Sequence, residues 1–219
     1  MITFNDIKNS HEIQTYIKKA DESLITLGYT EHSFTHVGKV ANKAEELLLK
    51  LGYDERTAEL AQIAGYMHDI GNVVNRIDHA QSGAIMAFRI LDNMGMDVAE
   101  IAAVISAIGN HDESTAVPVN EVAAALILAD KSDVRRSRVR NTDFATFDIH
   151  DRVNYSVEAS RLTLNEHKKE VSLNLVIDTS ICAVMSYFEI FLERMLLCRR
   201  AAEYLGLKFK LVVNDVELL

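Results

Sequence analysis

The feature that most constrains this chain is a change of hydrophobic period near residue 141. Before it, apolar residues recur at three- and four-residue intervals; after it, two stretches alternate at every second residue. The first spacing buries one face of a helix and the second one face of a strand, so a helical body followed by a smaller mixed unit is expected. In "HSFTHVGKVANKAEELLLKLG" the residues Val37, Val40, Ala44, Leu47, Leu48 and Leu51 keep the helical spacing, and Gly52 closes it. An opening helix over residues 5–27 should end at Gly28. Asp54 and Asp97 are placed to cap "ERTAELAQIAGYMH" and "VAEIAAVISAIGNH", with "DHAQSGAIMAFRILDNMG" between them ending at Gly95. Pro118, the only proline, is expected to open "VNEVAAALILADKSDVRR", in the first turn that proline tolerates. Beyond the change, "RVNYSVEASRLTL" (152–164) and "EVSLNLVID" (170–178) read as strands joined by "NEHKKE". A long helix over 180–206 and the strand "LKFKLVV" complete the chain. The fold class is thus mainly α: a helical domain over 1–145, then a small α+β domain over 146–219 in the order strand, strand, helix, strand.

Composition narrows the functions. A chain of 219 residues can bury a sizeable core. Its net charge of −9 does not suit a binder of nucleic-acid polymers, which needs a basic face. No apolar run approaches the ~20 residues of a membrane span, and "MITFNDIKNSHEIQ" lacks the basic and apolar segments of a secretory leader. A cytoplasmic location with no membrane partner is expected. Cys182 and Cys198, sixteen residues apart in one expected helix, are too distant to bond and should be buried free thiols. The Met, Tyr, Phe and Leu stripe of the tail suits a core or a subunit interface, so a homodimer through the C-terminal unit is the expected self-association. Charge is uneven: residues 131–140 hold five basic side chains and one acidic. Such a run is either a solvated helix end or a rim that attracts phosphate, depending on its neighbours.

Eight histidines occur, and singly each suits a core or a surface. Four of them, His36, His68, His79 and His111, fall at starts or ends of expected helices, where a bundle brings side chains together. Asp130 stands inside the apolar run "AAALILAD", where a carboxylate is costly to bury unless something positive pairs with it. A metal ion would do so. Imidazole together with carboxylate suits Fe, Mn, Co, Ni or Zn, whereas carboxylates alone would suit Mg or Ca. Adjacent His68 and Asp69 lie about 100° apart around a helix and can share a site only at its end, which Gly71 makes available.

The set His36, His68–Asp69, Asp130 resembles the HD-domain superfamily of metal-dependent phosphohydrolases, whose ligands run H…HD…D. "THVGKVANKA" is similar to that family's first-ligand helix, "AGYMHDIG" to its His-Asp helix, and "LILADKSD" to its final helix, so the likeness covers residues 30–140. "DHAQSGAIMAFRIL" and "IAAVISAIGNHDE" resemble the additional His-bearing helices of its two-metal members. Those members include the diadenosine tetraphosphate hydrolases and, more distantly, the cyclic-dinucleotide phosphodiesterases. The resemblance implies one ion on His36, His68, Asp69 and Asp130, and a second on Asp69, His79 and His111, with Asp69 as the bridge. One or two divalent ions are implied, Fe or Mn first and Co, Ni, Zn or Mg after them. The implied reaction is attack of metal-activated water on a phosphate ester or anhydride of a small molecule, a nucleotide above all.

In that mechanism Asp69 and Lys131 are the expected catalytic residues, and Lys131 with His32, Arg135 and Arg136 the substrate and phosphate contacts. The basic run then becomes a phosphate rim, because it is expected to continue the helix of Asp130. Asp112 is expected to orient a ligand or to cap the surface, and His11, His150 and His167 to be ordinary surface residues. The chain departs from the family at two places. Only ten positions separate Asp69 from His79, fewer than in the dinuclear relatives, and Asn72 stands where a basic residue commonly follows His-Asp-Ile-Gly. Two other readings stay open: a di-iron oxygenase of the same fold, and a non-catalytic HD module whose C-terminal unit binds an effector.

Overall fold

Polar caps punctuate the N-terminal body. In the computed structural model, which describes residues 1–218, Thr3 and Ser10 start α1 (Phe4–Asn9) and α2 (His11–Thr26). The single opening helix expected from the sequence is therefore two. The Ser10 hydroxyl accepts from the Ile13 amide, and its own backbone is extended, so the chain restarts there. Ser33 caps α3 (Phe34–Lys50) and Asp54 caps α4 (Glu55–Met67). Then follow α5 (His79–Met94), α6 (Val98–Gly109) capped by Asp97, and α7 (Glu121–Lys131). Asn120, not Pro118, begins α7, because its side chain accepts from the Ala123 amide at 2.7 Å.

Helix α3 runs against α4 and α7. Its crossing with α4 depends on Gly65, where a Cβ would lie 2.8 Å from Ala41 Cα. Helix α7 is buried from Val122 to Lys131 and touches α3, α4, α6 and α9. A helix apolar on every side belongs in the middle of a domain. Its polar end, Asp130–Lys131, is consequently delivered into the interior.

The C-terminal part opens with α8 (Ile149–Ser156), where a strand was expected from residue 152. Val153 and Val157 are both buried and four residues apart, so this segment fits both periods. The Asp148 carboxylate, accepting from the Asp151 amide at 2.8 Å, decides for helix. Strands β1 (Val157–Asn165) and β2 (Glu170–Ile177) form an antiparallel hairpin. Helix α9 (Val184–Tyr204) crosses over to β3 (Lys208–Val213), parallel to β2, and a short β4 (Val216–Glu217) follows in the sheet order β1-β2-β3-β4. Helix α9 starts four residues later than expected because the Asp178 carboxylate accepts from Ser180 and forms a turn. Cys182 thus precedes the helix while Cys198 lies within it; both are buried and free.

The architecture is the mainly helical one expected, with a small α+β unit. The apolar cluster beneath the sheet joins Leu173, Leu211, Tyr187 and Cys198 to Leu47 of α3 and Ile127 of α7. Residues on both sides of position 145 therefore share one core. Among the described residues, no helix is long and apolar enough to cross a membrane.

Candidate metal centre

The helix ends converge as follows. His36 lies in the first turn of α3, and His68 is the C-cap of α4. Asp69 follows directly and leads into a single 3-10 turn, Ile70–Val73, so the two neighbours both turn inward. Gly71 is required there. A Cβ would overlap the His79 carbonyl oxygen and approach the Gly83 amide to 2.5 Å, so α5 docks on this turn only against glycine. Asp78, in the left-handed region at φ 57°, redirects the chain so that His79 is the first residue of α5. His111 follows the end of α6, and Asp130 is the penultimate residue of α7. All six residues are buried, none above 8 % exposed.

The four imidazoles are oriented by one device. Nδ1 of His68, His79 and His111 faces a backbone carbonyl, that of Gly65 (2.8 Å), Arg76 (3.0 Å) and Ile108 (2.6 Å) respectively. Nδ1 of His36 faces Asp133 Oδ2 at 2.8 Å. A carbonyl can only accept, so the proton sits on Nδ1 and the Nε2 lone pair points inward. There it meets further acceptors. His36 Nε2 is 3.3 Å from Asp130 Oδ1 and 3.6 Å from Asp69 Oδ2; His68 Nε2 is 3.2 Å from Asp69 Oδ2. The other oxygen of Asp69 is 3.7 Å from His79 Nε2, which is 3.1 Å from His111 Nε2. His36 Nε2, His68 Nε2 and Asp69 Oδ2 are buried without a hydrogen-bond partner. In two triads, His36–His68–Asp130 and His68–Asp69–His111, the donor atoms all lie within 4.8 Å of one another. Buried acceptors crowded together in this way are unfavourable unless a cation lies among them, and imidazole with carboxylate is a divalent-metal donor set. The residues present fit a metal ion.

Charge states agree with that use. Burial opposes ionisation of Asp69, yet His68, His32 and His36 hold its carboxyl well below the usual range. Burial likewise opposes ionisation of Asp130, and Lys131 and His36 prevail. Burial, with His68 and Lys131 nearby, keeps His111 well below its ordinary value, and burial lowers His79. His68 is the exception: burial works against its charged form, but Asp69 and Asp130 raise its pKa. The carboxylates of Asp69 and Asp130 are thus held ionised and the imidazoles of His79 and His111 are held neutral, the protonation state that metal ligands need.

A cleft of about 520 Å3 opens beside the centre, lined by His32, Arg76, Glu113, Arg138, Phe191 and Arg194 among others. His32 sits at its wall with Nδ1 on the Thr30 carbonyl. His150, expected to be an ordinary surface residue, also lines it, whereas His11 and His167 are exposed elsewhere. Lys131 is buried, with Nζ 2.7 Å from Asp130 Oδ2 and 3.1 Å from Glu113 Oε2. The expected clamp of Arg135 and Arg136 is not at the cleft. Helix α7 ends at Lys131, so neither arginine continues the helix of Asp130. Arg135 binds Glu31 and Asp133, and Arg136 donates to the Tyr155 carbonyl and lies 4.7 Å over that ring.

Five residues of the site escaped the sequence reading. Asp133 holds His36, and Glu113 joins Lys131 to Arg194. Arg76, Arg138 and Arg194 supply the positive charge of the cleft. Asn72 donates to Asp69 Oδ1 and accepts from Arg76, so a basic group arrives from Arg76, one turn after the position where the family commonly carries it.

Residues 33–135 match the family model of the HD domain. This part of the chain is therefore similar to the HD domain. Among solved structures, a predicted HD superfamily hydrolase from an uncultured Thermotogales bacterium is similar at 27 % identity, over 57 % of this chain and 67 % of that one, with a TM-score of 0.45. No curated protein matches the chain.

Proposed function

We propose that the protein is a metal-dependent phosphohydrolase that cleaves a phosphate ester or anhydride of a small molecule of the nucleotide class. One observation carries this reading: buried Nε2 and carboxylate atoms, oriented from behind and lacking partners, converge beside a cleft lined by arginines. His36, His68, Asp69 and Asp130 would hold one divalent ion. Asp69, His79 and His111 would hold a second. Such ions, Fe or Mn before Co, Ni, Zn or Mg, supply a hydroxide nucleophile at neutral pH and neutralise phosphate charge.

The chain's own residues do the rest. Asp133 and the three carbonyls fix each imidazole as an acceptor. Lys131, its charge sustained by Asp130 and Glu113 against burial, is placed to hold a phosphate oxygen. Arg76, kept in position by Asn72 and stacked 5.5 Å over Tyr29, offers a further cation at the mouth of the cleft. His32 lines the same wall and would contact the substrate.

The test is a screen of phosphoesters and nucleotides with Mn, Fe, Co, Ni and Mg on anaerobically purified protein. Hydrolysis that requires a transition metal and stops on chelation is expected. No turnover of any substrate by metal-loaded protein would refute the reading.

A further inference from the structure

The hydrolytic reading leaves the far wall of the cleft without a role. That wall is built by residues beyond the HD domain: Arg138, Asn154 of α8, and Phe191 and Arg194 of α9. We infer that Arg138 and Arg194 form a second anion subsite, selecting substrates that carry a phosphate or carboxylate besides the group that is hydrolysed. The inference rests on the proposed function for where that first group lies.

The two arginines of this wall are sparsely paired with carboxylates. Arg138 is 5 % exposed, and its guanidinium is held by two carbonyls, Nε on Glu31 O and Nη1 on Asp133 O, both at 2.8 Å. Among the described residues its nearest carboxylate oxygen is Asp133 Oδ2 at 4.0 Å, and Asp133 already serves His36 and Arg135. Arg194 has a single carboxylate partner, Glu113, which meets it at Nε (2.7 Å). Glu113 is shared with Lys131, and Asp130, also beside Lys131, belongs to the metal centre. Lys131 and Arg194 therefore share the Glu113 carboxylate, and Arg138 has no carboxylate closer than 4.0 Å. Two other acids line the cleft, Asp148 and Asp151; each accepts from neutral donors, and neither forms an ion pair with Arg138 or Arg194. Asp148 caps α8, and Asp151 accepts from Asn141. A buried cation lacking a full counter-charge is unfavourable, and an anionic ligand group would complete it.

The geometry suits such a group. Arg194 is bonded only through Nε and packs 4.3 Å over the Phe191 ring, which fixes the plane of its guanidinium. Its two terminal nitrogens remain for a ligand in the cleft, and a planar fork of this kind takes a carboxylate or phosphate through two parallel bonds. Phe191 and Ile190 beside it would cover an apolar spacer between the two anionic groups.

The experiment measures binding, so it does not need turnover. Short α,ω-alkanebisphosphonates are titrated calorimetrically into the metal-loaded protein, each against the alkylphosphonate of the same chain length. The best-fitting bisphosphonate should bind about tenfold or more tightly than its single-headed counterpart. Arg194→Gln should erase that preference while changing alkylphosphonate affinity by less than about twofold. Arg194→Lys, which keeps the charge toward Glu113 and loses the fork, should retain only part of it, and serves if the glutamine variant does not fold. Arg199→Gln, on the exposed side of α9, should leave both affinities unchanged. Equal affinities for the paired probes in the wild type, or a preference that survives in both Arg194 variants, would overturn the subsite. An Arg194-dependent preference in a protein that hydrolyses nothing would support the subsite and refute the hydrolase. Hydrolysis without any preference would refute the subsite alone.

Discussion

Two dense groups of ionisable residues lie side by side in this molecule and are built on opposite principles. In the His-Asp centre, buried acceptors face one another and three of them have no partner. Along residues 133–140, three arginines are fastened away from the cleft, Arg135 on Glu31, Arg136 on Tyr155 O and Arg140 on Asp21, while Arg138 is held on Glu31 O and lines the cleft. The second group is a latch that fastens the α2–α3 link and α8 to the helical body. The first is a socket. The difference teaches that a local excess of charge in a sequence does not mark a ligand site. A convergence of unpartnered acceptors does, whereas the latch leaves only two scattered donors without a hydrogen-bond partner, Arg136 Nη2 and Arg140 Nε.

Substitutions can break this comparison, and the largest effect should come from the socket. Asp69→Ala removes the carboxylate that faces three imidazoles; bound transition metal should be lost and turnover should fall by more than about a hundredfold. A variant that cleaves phosphoesters at the normal rate would mean the site is misassigned. Asp133 belongs to both groups and sharpens the contrast. Asp133→Asn weakens the acceptor behind His36 Nδ1, and metal affinity in a competition titration should drop about 10–100-fold. Unchanged affinity would place Asp133 in the latch alone. Gly71→Ala drives a methyl into the His79 carbonyl, so the variant should lose about 1–3 kcal/mol in denaturant unfolding together with metal occupancy. Wild-type stability there would show that α5 is free to shift. The smallest effect is expected in the latch. Arg135→Ala should cost about 1–2 kcal/mol of stability and leave KM unchanged. A raised KM with stability intact would return Arg135 to the cleft.

Much of the socket was legible because its parts are local. His36, His68–Asp69, His79, His111 and Asp130 each sit at a helix end or an interrupted apolar run, and periodicity locates those. Gly71 likewise announced the turn that follows Asp69. The cleft was not legible, because its arginines are brought together by tertiary contacts. The spacing of α9 puts Arg194 in phase with buried Phe191 and Cys198 and Arg199 off that face, but it does not say that the face meets a cleft. The error over Arg135 and Arg136 came from extending α7 too far. Ser132 Oγ donates to Ala129 O and the Val134 amide to Ser132 O, and the chain turns away before the arginines. Helix α8 was misread because Val153 and Val157 satisfy either period, and only the cap at Asp148 separates them.

The central claim is that the converging Nε2 and carboxylate atoms hold metal. Its most direct measurement is the metal content of the gently purified wild-type protein, by elemental analysis with calorimetric back-titration of the metal-free form. The account predicts between about one and two tightly bound equivalents of divalent transition metal per chain, the upper figure if Asp69 bridges two ions. Less than about half an equivalent, with no saturable uptake on titration, would contradict it.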